Sequence, residues 1–194
     1  GFRSTPVPQA AEVIGDFGAF GLWLLHNYAW TQLTGFNPEV TLCADTDGDG
    51  LQELAGDFGI LGLWLWNNDA WTCLTWANPE AFVFADIDGD GRAELVGDFG
   101  SIGLWTWNGG DWKQLTGSNP GLVSSADVDG DGDKDVVADF ASGLWFYSNY
   151  TWACIAPIPT QTLTGGDIDG DGRDEIVGDF GTAGVWFYDV PNWT

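Results

Sequence analysis

The sequence is short of positive charge and of several chemically useful residues. Among 194 residues it has five Lys or Arg, one His, three Cys and no Met, against 29 Asp or Glu and a net charge of -24. This balance argues against nucleic acid and anionic membranes as partners, because both are bound through cationic side chains. No apolar run approaches the roughly 20 residues of a membrane-spanning helix, so we expect no membrane insertion.

The missing methionine and the sparse cysteines bear on processing. The lack of an initiator indicates that Gly1 follows a cleavage, and we predict a secreted, extracellular protein whose signal peptide was removed. With three cysteines, at least one has no intramolecular partner. Cys73 and Cys154 hold the same position in the similar segments WTCL and WACI, so we expect buried small side chains there rather than a disulfide.

Catalytic signals are also scarce. The single histidine, His26, lies beside a turn in LLHNYAW, and no nucleophile is paired with it in the sequence. We therefore predict a protein that is not an enzyme and has no catalytic residues.

The sequence does contain a repeat, in the form of five Gly-Asp-Phe or Ala-Asp-Phe segments, each followed by a Gly-Leu-Trp or Gly-Val-Trp segment. Their aspartates recur every 41, 41, 41 and 40 residues. These are Asp16, Asp57, Asp98, Asp139 and Asp179. An Asp before Phe at a strand end can accept backbone N–H bonds, so we expect these five residues to form turns.

One period has the pattern of four short strands. VTLCA from 40, LQELAGDF from 51, GLWLW from 62 and AWTCLT from 70 are each bounded by turn-forming residues. Four-stranded units of this length, repeated about an axis, are typical of a β-propeller. We predict an all-β fold, a five-bladed β-propeller of ~41-residue repeats, forming one domain over 1–194. The repeats are approximately 1–36, 37–77, 78–118, 119–158 and 159–194.

The two ends of the chain fall short of complete repeats. The sequence stops at PNWT, where the fourth strand of the last repeat begins. Either the two ends complete one blade together, or a strand comes from another chain, which would be self-association through the incomplete terminal blade.

A second motif alternates aspartates and ends on Asp or Glu, as DTDGDGLQE at 45, DIDGDGRAE at 86, DVDGDGDKD at 127 and DIDGDGRDE at 167. Carboxylates at positions 1, 3, 5 and 9 and a backbone carbonyl at position 7 form the oxygen set that Ca²⁺ prefers. An EF-hand is excluded, because its helices are lacking and its twelfth position is Gly56. Acidic hairpin turns without an ion are the alternative. The predicted ligands are Asp45, Asp47, Asp49, Leu51 and Glu53; Asp86, Asp88, Asp90, Arg92 and Glu94; Asp127, Asp129, Asp131, Asp133 and Asp135; and Asp167, Asp169, Asp171, Arg173 and Glu175.

The Asp-x-Asp-Gly-Asp-Gly loops together with the Gly-Asp-Phe segments resemble the FG-GAP/VCBS repeat family of calcium-binding β-propellers, which includes integrin α head domains and secreted lectins. The resemblance implies four Ca²⁺ sites. The first repeat departs from the pattern, since its STPVPQAAE keeps only Glu12 of the ligand set, and we predict no calcium there.

A tryptophan also begins each fourth strand. Because these residues follow a turn near the blade edge, they either pack in the core or against the rim of the blade, or form a surface on which sugar rings stack. We treat them as candidate carbohydrate-binding residues: Trp30, Trp71, Trp112, Trp152 and Trp193.

Two functions are consistent with these features. One is lectin-like recognition of neutral glycans, or of extracellular proteins, through repeated sites between blades, where several weak contacts act together. The other is a calcium-rigidified adhesion module that assembles into a surface layer or filament.

Overall fold

The chain forms antiparallel sheets connected by short turns. A computed structural model describes residues 12–189 and, for the backbone alone, 192–193. Within these residues there are five sheets: one of three strands and four of four strands. The all-β prediction is confirmed.

The strand bounds repeat from sheet to sheet. The first sheet comprises β1 (Val13–Asp16), β2 (Leu22–His26) and β3 (Ala29–Thr34), and the second comprises β4 (Val40–Ala44), β5 (Glu53–Asp57), β6 (Leu63–Asn67) and β7 (Ala70–Thr75). The third comprises β8 (Ala81–Ala85), β9 (Glu94–Asp98), β10 (Leu104–Asn108) and β11 (Asp111–Thr116), and the fourth comprises β12 (Leu122–Ala126), β13 (Asp135–Phe140), β14 (Gly143–Ser148) and β15 (Thr151–Ala156). The fifth comprises β16 (Thr162–Gly166), β17 (Glu175–Asp179), β18 (Val185–Asp189) and β19 (Asn192–Trp193).

The connections follow from local chemistry. Two-residue turns with positive φ join the last two strands of the first, second and fourth sheets, namely β2–β3, β6–β7 and β14–β15. These turns are Asn27–Tyr28, Asn68–Asp69 and Asn149–Tyr150. Positive φ at both turn residues is the hairpin geometry whose twist matches paired strands. A single 3₁₀ turn connects β1 to β2, β5 to β6, β9 to β10 and β17 to β18. These turns cover residues 18–20, 59–61, 100–102 and 181–183. No helix of the described residues is long and apolar enough to cross a membrane.

The Gly-Asp-Phe aspartates are turn residues, as predicted. Oδ1 of Asp57 accepts the amide of Gly59 at 2.9 Å, and the same bond recurs at Asp16, Asp98 and Asp179. Asp139 instead accepts the amide of Thr160 at 3.2 Å, because its repeat is one residue shorter at this turn and lacks the 3₁₀ segment.

The core lies between neighbouring sheets. The first strands of successive sheets lie side by side, β4 against β8, β8 against β12 and β12 against β16. Three buried clusters fill the spaces between the second and third, third and fourth, and fourth and fifth sheets. Leu63, Leu95, Leu104 and Leu144 are fully buried in them. Burying each such side chain contributes about 2 kcal/mol.

The three cysteines are free and all lie in the described part of the chain, so no disulfide forms. The predicted burial is wrong, because Cys154 is exposed and Cys73 is only partly buried. Both lie on fourth strands (β7 and β15), which form one edge of each sheet.

Candidate metal centres and aromatic pockets

The four acidic loops connect the first and second strands of the second to fifth sheets. Their shape depends on two glycines with positive φ, such as Gly48 at 78° and Gly50 at 86° in the first loop. This region favours glycine, because a Cβ would crowd the backbone. The two bends turn the loop amides inward.

The first aspartate of each loop binds those amides. Oδ1 of Asp45 accepts the amide of Gly48 at 2.7 Å, and Oδ2 accepts the amide of Gly50 at 2.9 Å. The other three loops repeat both bonds. The fifth position is fixed similarly, since the amide of Leu51 donates to Oδ1 of Asp49 at 2.8 Å. The carboxylates are therefore held in place by backbone donors of their own loop.

The ninth position is buried under each loop. Glu94 is 2% exposed, and its Oε2 accepts the amide of Ile87 at 2.9 Å. Burial, together with Asp88, Asp86 and Asp90 nearby, raises the pKa of Glu94 to about 7. Burial likewise raises the pKa of Asp135 in the third loop to about 6. In the ion-free protein, keeping these buried groups ionised costs free energy. A bound dication would lower that cost.

Three carboxylates of each loop come together, with one oxygen of each within 4.8 Å of the others. The groups are Asp45, Asp47 and Glu53; Asp86, Asp88 and Asp90; Asp127, Asp129 and Asp131; and Asp167, Asp169 and Glu175. The remaining carboxylate predicted for each loop lies outside this radius, namely Asp49, Glu94, Asp135 and Asp171. The chemistry of this all-oxygen donor set fits a hard cation such as Ca²⁺.

The fourth loop shows the need for an ion most directly. Glu175 is 2% exposed, and its Oε2 accepts the amide of Ile168 at 2.7 Å. Its Oε1 is buried and has no hydrogen-bond partner, although it belongs to the carboxylate with which Asp167 and Asp169 converge. A buried carboxylate oxygen without a partner is costly, and a bound cation would satisfy it.

The side chain at the seventh position of a loop contacts the neighbouring loop, which the sequence did not predict. Its side chain reaches the preceding loop, so Arg92 lies against Gly48, Asp133 against Gly89 and Arg173 against Gly130. Backbone bonds join the same loops, as the amide of Ala93 donates to the carbonyl of Asp45 at 2.8 Å. The only sequence signal is that position seven varies between loops as Leu, Arg, Asp and Arg.

The tryptophans that begin the fourth strands connect neighbouring sheets. The indole of Trp71 donates to the carbonyl of Leu33 at 3.1 Å, and that of Trp112 to Leu74 at 3.0 Å. Trp152 makes the equivalent bond to Leu115 at 3.4 Å. These three indoles therefore act as staples, by which we mean side chains that hydrogen-bond one sheet to the next. Trp30 is 45% exposed, and the side chain of Trp193 lies outside the described residues.

Two staples also line apolar pockets on the face opposite the metal loops. The pocket at Trp71 holds about 270 Å³ and is further lined by Phe36, Phe58, Trp64 and Trp76, with Thr34 and Leu61 at its edge. Trp76 is 70% exposed and meets Trp64 edge to face at 5.6 Å. A smaller pocket of about 180 Å³ lies at Trp112, where Ala77 and Gly117 take the places of Phe36 and Trp76.

The chain is similar in fold to several solved structures. One is an Agrocybe aegerita lectin that recognises non-reducing terminal N-acetylglucosamine, with 22% identity and a TM-score of 0.61 over 94% of this chain and 60% of the lectin. Another is Bap1, a biofilm matrix protein of V. cholerae, with 20% identity and a TM-score of 0.53 over 92% of this chain and 31% of Bap1. Rhamnogalacturonan lyase YesW has 13% identity and a TM-score of 0.49, over 97% and 50%.

These comparisons bear on the fold alone, because the identities are low. The chain spans less than two thirds of the length of each of these structures. The sequence matches no family model and no curated protein. The FG-GAP/VCBS resemblance therefore stays a prediction.

Proposed function

We propose that residues 1–194 form one five-bladed β-propeller of FG-GAP/VCBS-type repeats, stabilised by calcium. Support comes from the five sheets, which follow the five repeats, and from the row β4, β8, β12 and β16. First strands that line an axis side by side are typical of propellers.

Each of the four acidic loops binds one Ca²⁺ through its carboxylates and the carbonyl at position seven. The observation that carries this proposal is Oε1 of Glu175, buried without a partner in its acidic group. The first repeat has no site, since its one retained carboxylate, Glu12, pairs with Nδ1 of His26 at 2.7 Å. Sites of this kind form only on folding, so bound calcium stabilises the fold.

Calorimetric titration of calcium into chelator-stripped protein, with light scattering, tests this. We expect about four ions per chain. Glu175→Gln should remove one of them and leave three, while Asp69→Asn, a change in an exposed hairpin turn, should leave four. A stoichiometry of zero in the unmodified chain would contradict the metal assignment.

The protein acts outside the cell as a non-catalytic module that recognises neutral glycans. The aromatic pockets support this role, because sugar rings stack on aromatic faces and the pocket at Trp71 exposes three indoles. The net charge of -24 disfavours anionic partners. The densest carboxylates are assigned to metal, and the only histidine is exposed and paired with Glu12, so we infer no catalysis.

A glycan array probed with calcium-loaded protein tests this role. Trp76→Ala should weaken binding at least tenfold, because it removes an exposed ring from the larger pocket. Ile60→Ala is the matched control, since Ile60 is 92% exposed and does not line the pocket. A blank array at every protein concentration tested would refute glycan recognition.

Assembly into an extracellular layer or filament is the second candidate. Apolar side chains are exposed on the first and fifth sheets, including Phe17, Phe20, Val185 and Phe187. The described part of the first sheet has only three strands, so another chain could add a strand there. Calcium-driven growth in mass during the light-scattering titration would favour this function, and a constant monomer mass would reject it.

A further inference from the structure

A second type of cavity lies between the third and fourth sheets, on the metal-loop face. It holds about 180 Å³, which is enough for a single sugar ring but not for a chain of them. Thr106 and Lys113 line it from β10 and β11, and Tyr147 and Tyr150 from the fourth sheet. Asp88 of the second acidic loop forms part of the same wall. We call this space the junction cavity.

Two polar atoms of the junction cavity are buried without hydrogen-bond partners. Thr106 is 5% exposed, and its Oγ1 has no partner. Oδ1 of Asp88 has none either, while its Oδ2 accepts the hydroxyl of Tyr150 at 3.1 Å. Asp88 belongs to the acidic group of the second loop, where a bound cation would satisfy its oxygen. Buried polar groups are normally satisfied, so the hydroxyl of Thr106, which belongs to no acidic group, points to a missing polar ligand in this cavity.

The cavity residues are special to this junction. The positions equivalent to Thr106 are Leu24, Leu65, Phe146 and Phe187, all apolar. Lys113 pairs directly across the strands with Thr106. In the first, second and fourth sheets the equivalent residues are Thr31, Thr72 and Ala153, on β3, β7 and β15. Lys113 also lies over the ring of Tyr150, with Nζ 5.0 Å from its centre. Repetition of the fold therefore does not account for these residues.

We propose that the junction cavity binds one neutral sugar ring, and that calcium in the second loop strengthens this binding. The proposal rests on the glycan-binding function above and adds a site distinct from the aromatic pockets. The cavity offers hydroxyl and ammonium donors beside carboxylate acceptors, which suits a ligand rich in hydroxyls. Its carboxylates Asp88, Glu94 and Asp111 outnumber Lys113, so the cavity disfavours an anion and a neutral ligand fits it best.

Asp88 provides the connection to calcium. It belongs to the acidic group of the second loop with Asp86 and Asp90, and it also lines the junction cavity. An ion bound through Asp88 would fix the orientation of this side chain in the cavity wall. Since linkage is reciprocal, the sugar should also tighten calcium binding in this loop.

Nuclear magnetic resonance of ¹⁵N-labelled full chain tests the proposal. Calcium-loaded protein is titrated with free N-acetylglucosamine and, separately, with glucose. The amide signals of Thr106, Lys113 and Tyr150 should shift and saturate with at least one sugar. The amides of Leu24 and Thr31, the equivalent pair in the first sheet, lie outside both the junction cavity and the aromatic pockets. They should stay still and serve as an internal control.

Two substitutions take residues from the chain's own repeats and so suit the fold. Thr106→Leu and Lys113→Thr should each raise the Kd of the sugar for this cavity at least tenfold, and Thr72→Val should not change it. Because Lys113 is exposed, its replacement keeps the test informative if Thr106→Leu fails to fold. Removing calcium with a chelator should also weaken binding at least tenfold.

The outcomes separate the two proposals. If either sugar shifts only the amides near Trp71 and Trp76, or if both variants bind as the unmodified chain does, the junction cavity holds water alone and this inference fails while glycan recognition stands. If neither sugar shifts any signal and the glycan array is blank, both fail. Equal affinity with and without calcium would overturn the coupling.

Discussion

The raised pKa values beneath the metal loops predict an unusual pH dependence of stability in the ion-free protein. Burial raises the pKa of Glu94 from an ordinary 4.5 to about 7. The folded state therefore binds this proton more tightly than the unfolded state does. The resulting stabilisation is complete below about pH 4.5 and is lost as the pH rises through about 7.

The size of the effect follows from the same values. One pKa unit corresponds to about 1.4 kcal/mol, so Glu94 contributes about 3 kcal/mol. Burial also raises the pKa of Asp135 from 3.8 to about 6, which adds about 3 kcal/mol. The free energy of unfolding should therefore fall by about 6 kcal/mol between pH 4 and pH 7.5. Burial moves the pKa of Asp57, Asp98 and Asp139 in the same direction.

Urea unfolding followed by tryptophan fluorescence, at several pH values in a chelator, measures this fall. Glu94→Gln should reduce it to about half, because glutamine does not titrate, and Asp69→Asn should leave it unchanged. Saturating calcium should abolish the fall, since the bound ion favours the ionised carboxylates. An ion-free protein whose stability is flat or increases over this range, or a Glu94→Gln variant with the original slope, would refute the reasoning.

Two further substitutions test the fold. Gly62 has φ of 84°, and a Cβ there would collide with the carbonyl oxygen of Thr75, so Gly62→Ala should lower the free energy of unfolding by more than about 3 kcal/mol. Gly109 has φ of 65° but open space around it, so Gly109→Ala should lower the free energy of unfolding by only about 1 kcal/mol. Equal losses of stability for the two variants in urea unfolding would reject the clash. Trp112→Phe removes an indole donor between sheets and should lower the free energy of unfolding by about 1–2 kcal/mol. Trp76→Phe changes an exposed ring and should leave the urea midpoint unchanged. An equal loss of stability in both variants would argue against a stabilising role for the Trp112 hydrogen bond.

Much of the local structure was predictable from the sequence. The predicted strands from 40 and from 70 agree with Val40–Ala44 and Ala70–Thr75, because alternation and turn residues act over a few positions. The Asx-type bond of Asp57 to Gly59 was predictable for the same reason. The loop carboxylates belong to this class too, since their bonds to loop amides join residues no more than seven positions apart.

Other features depend on the exact length of a turn or on which face of a strand is covered. In four repeats the mid-strand tryptophan donates to a carbonyl three residues earlier, as Trp64 does to Leu61 at 2.7 Å. The shortened turn of the fourth repeat leaves Nε1 of Trp145 buried without a partner among the described residues. The sequence also did not predict that Cys154 is exposed. Its segment, WACIA, is apolar on both faces of the strand, so the pattern does not show which face is covered.

The sequence by itself determined the all-β class, the repeat length and the four sets of loop carboxylates, because each follows from residues close together in the chain. Only the tertiary structure decided that Trp71 donates to Leu33 across two sheets, that Asp133 reaches the preceding loop, and that Thr106 is buried facing Asp88 and Tyr150 without a partner. Those contacts join residues about 20 to 60 positions apart, and their geometry is set by how one sheet packs on the next rather than by the pattern within either sheet.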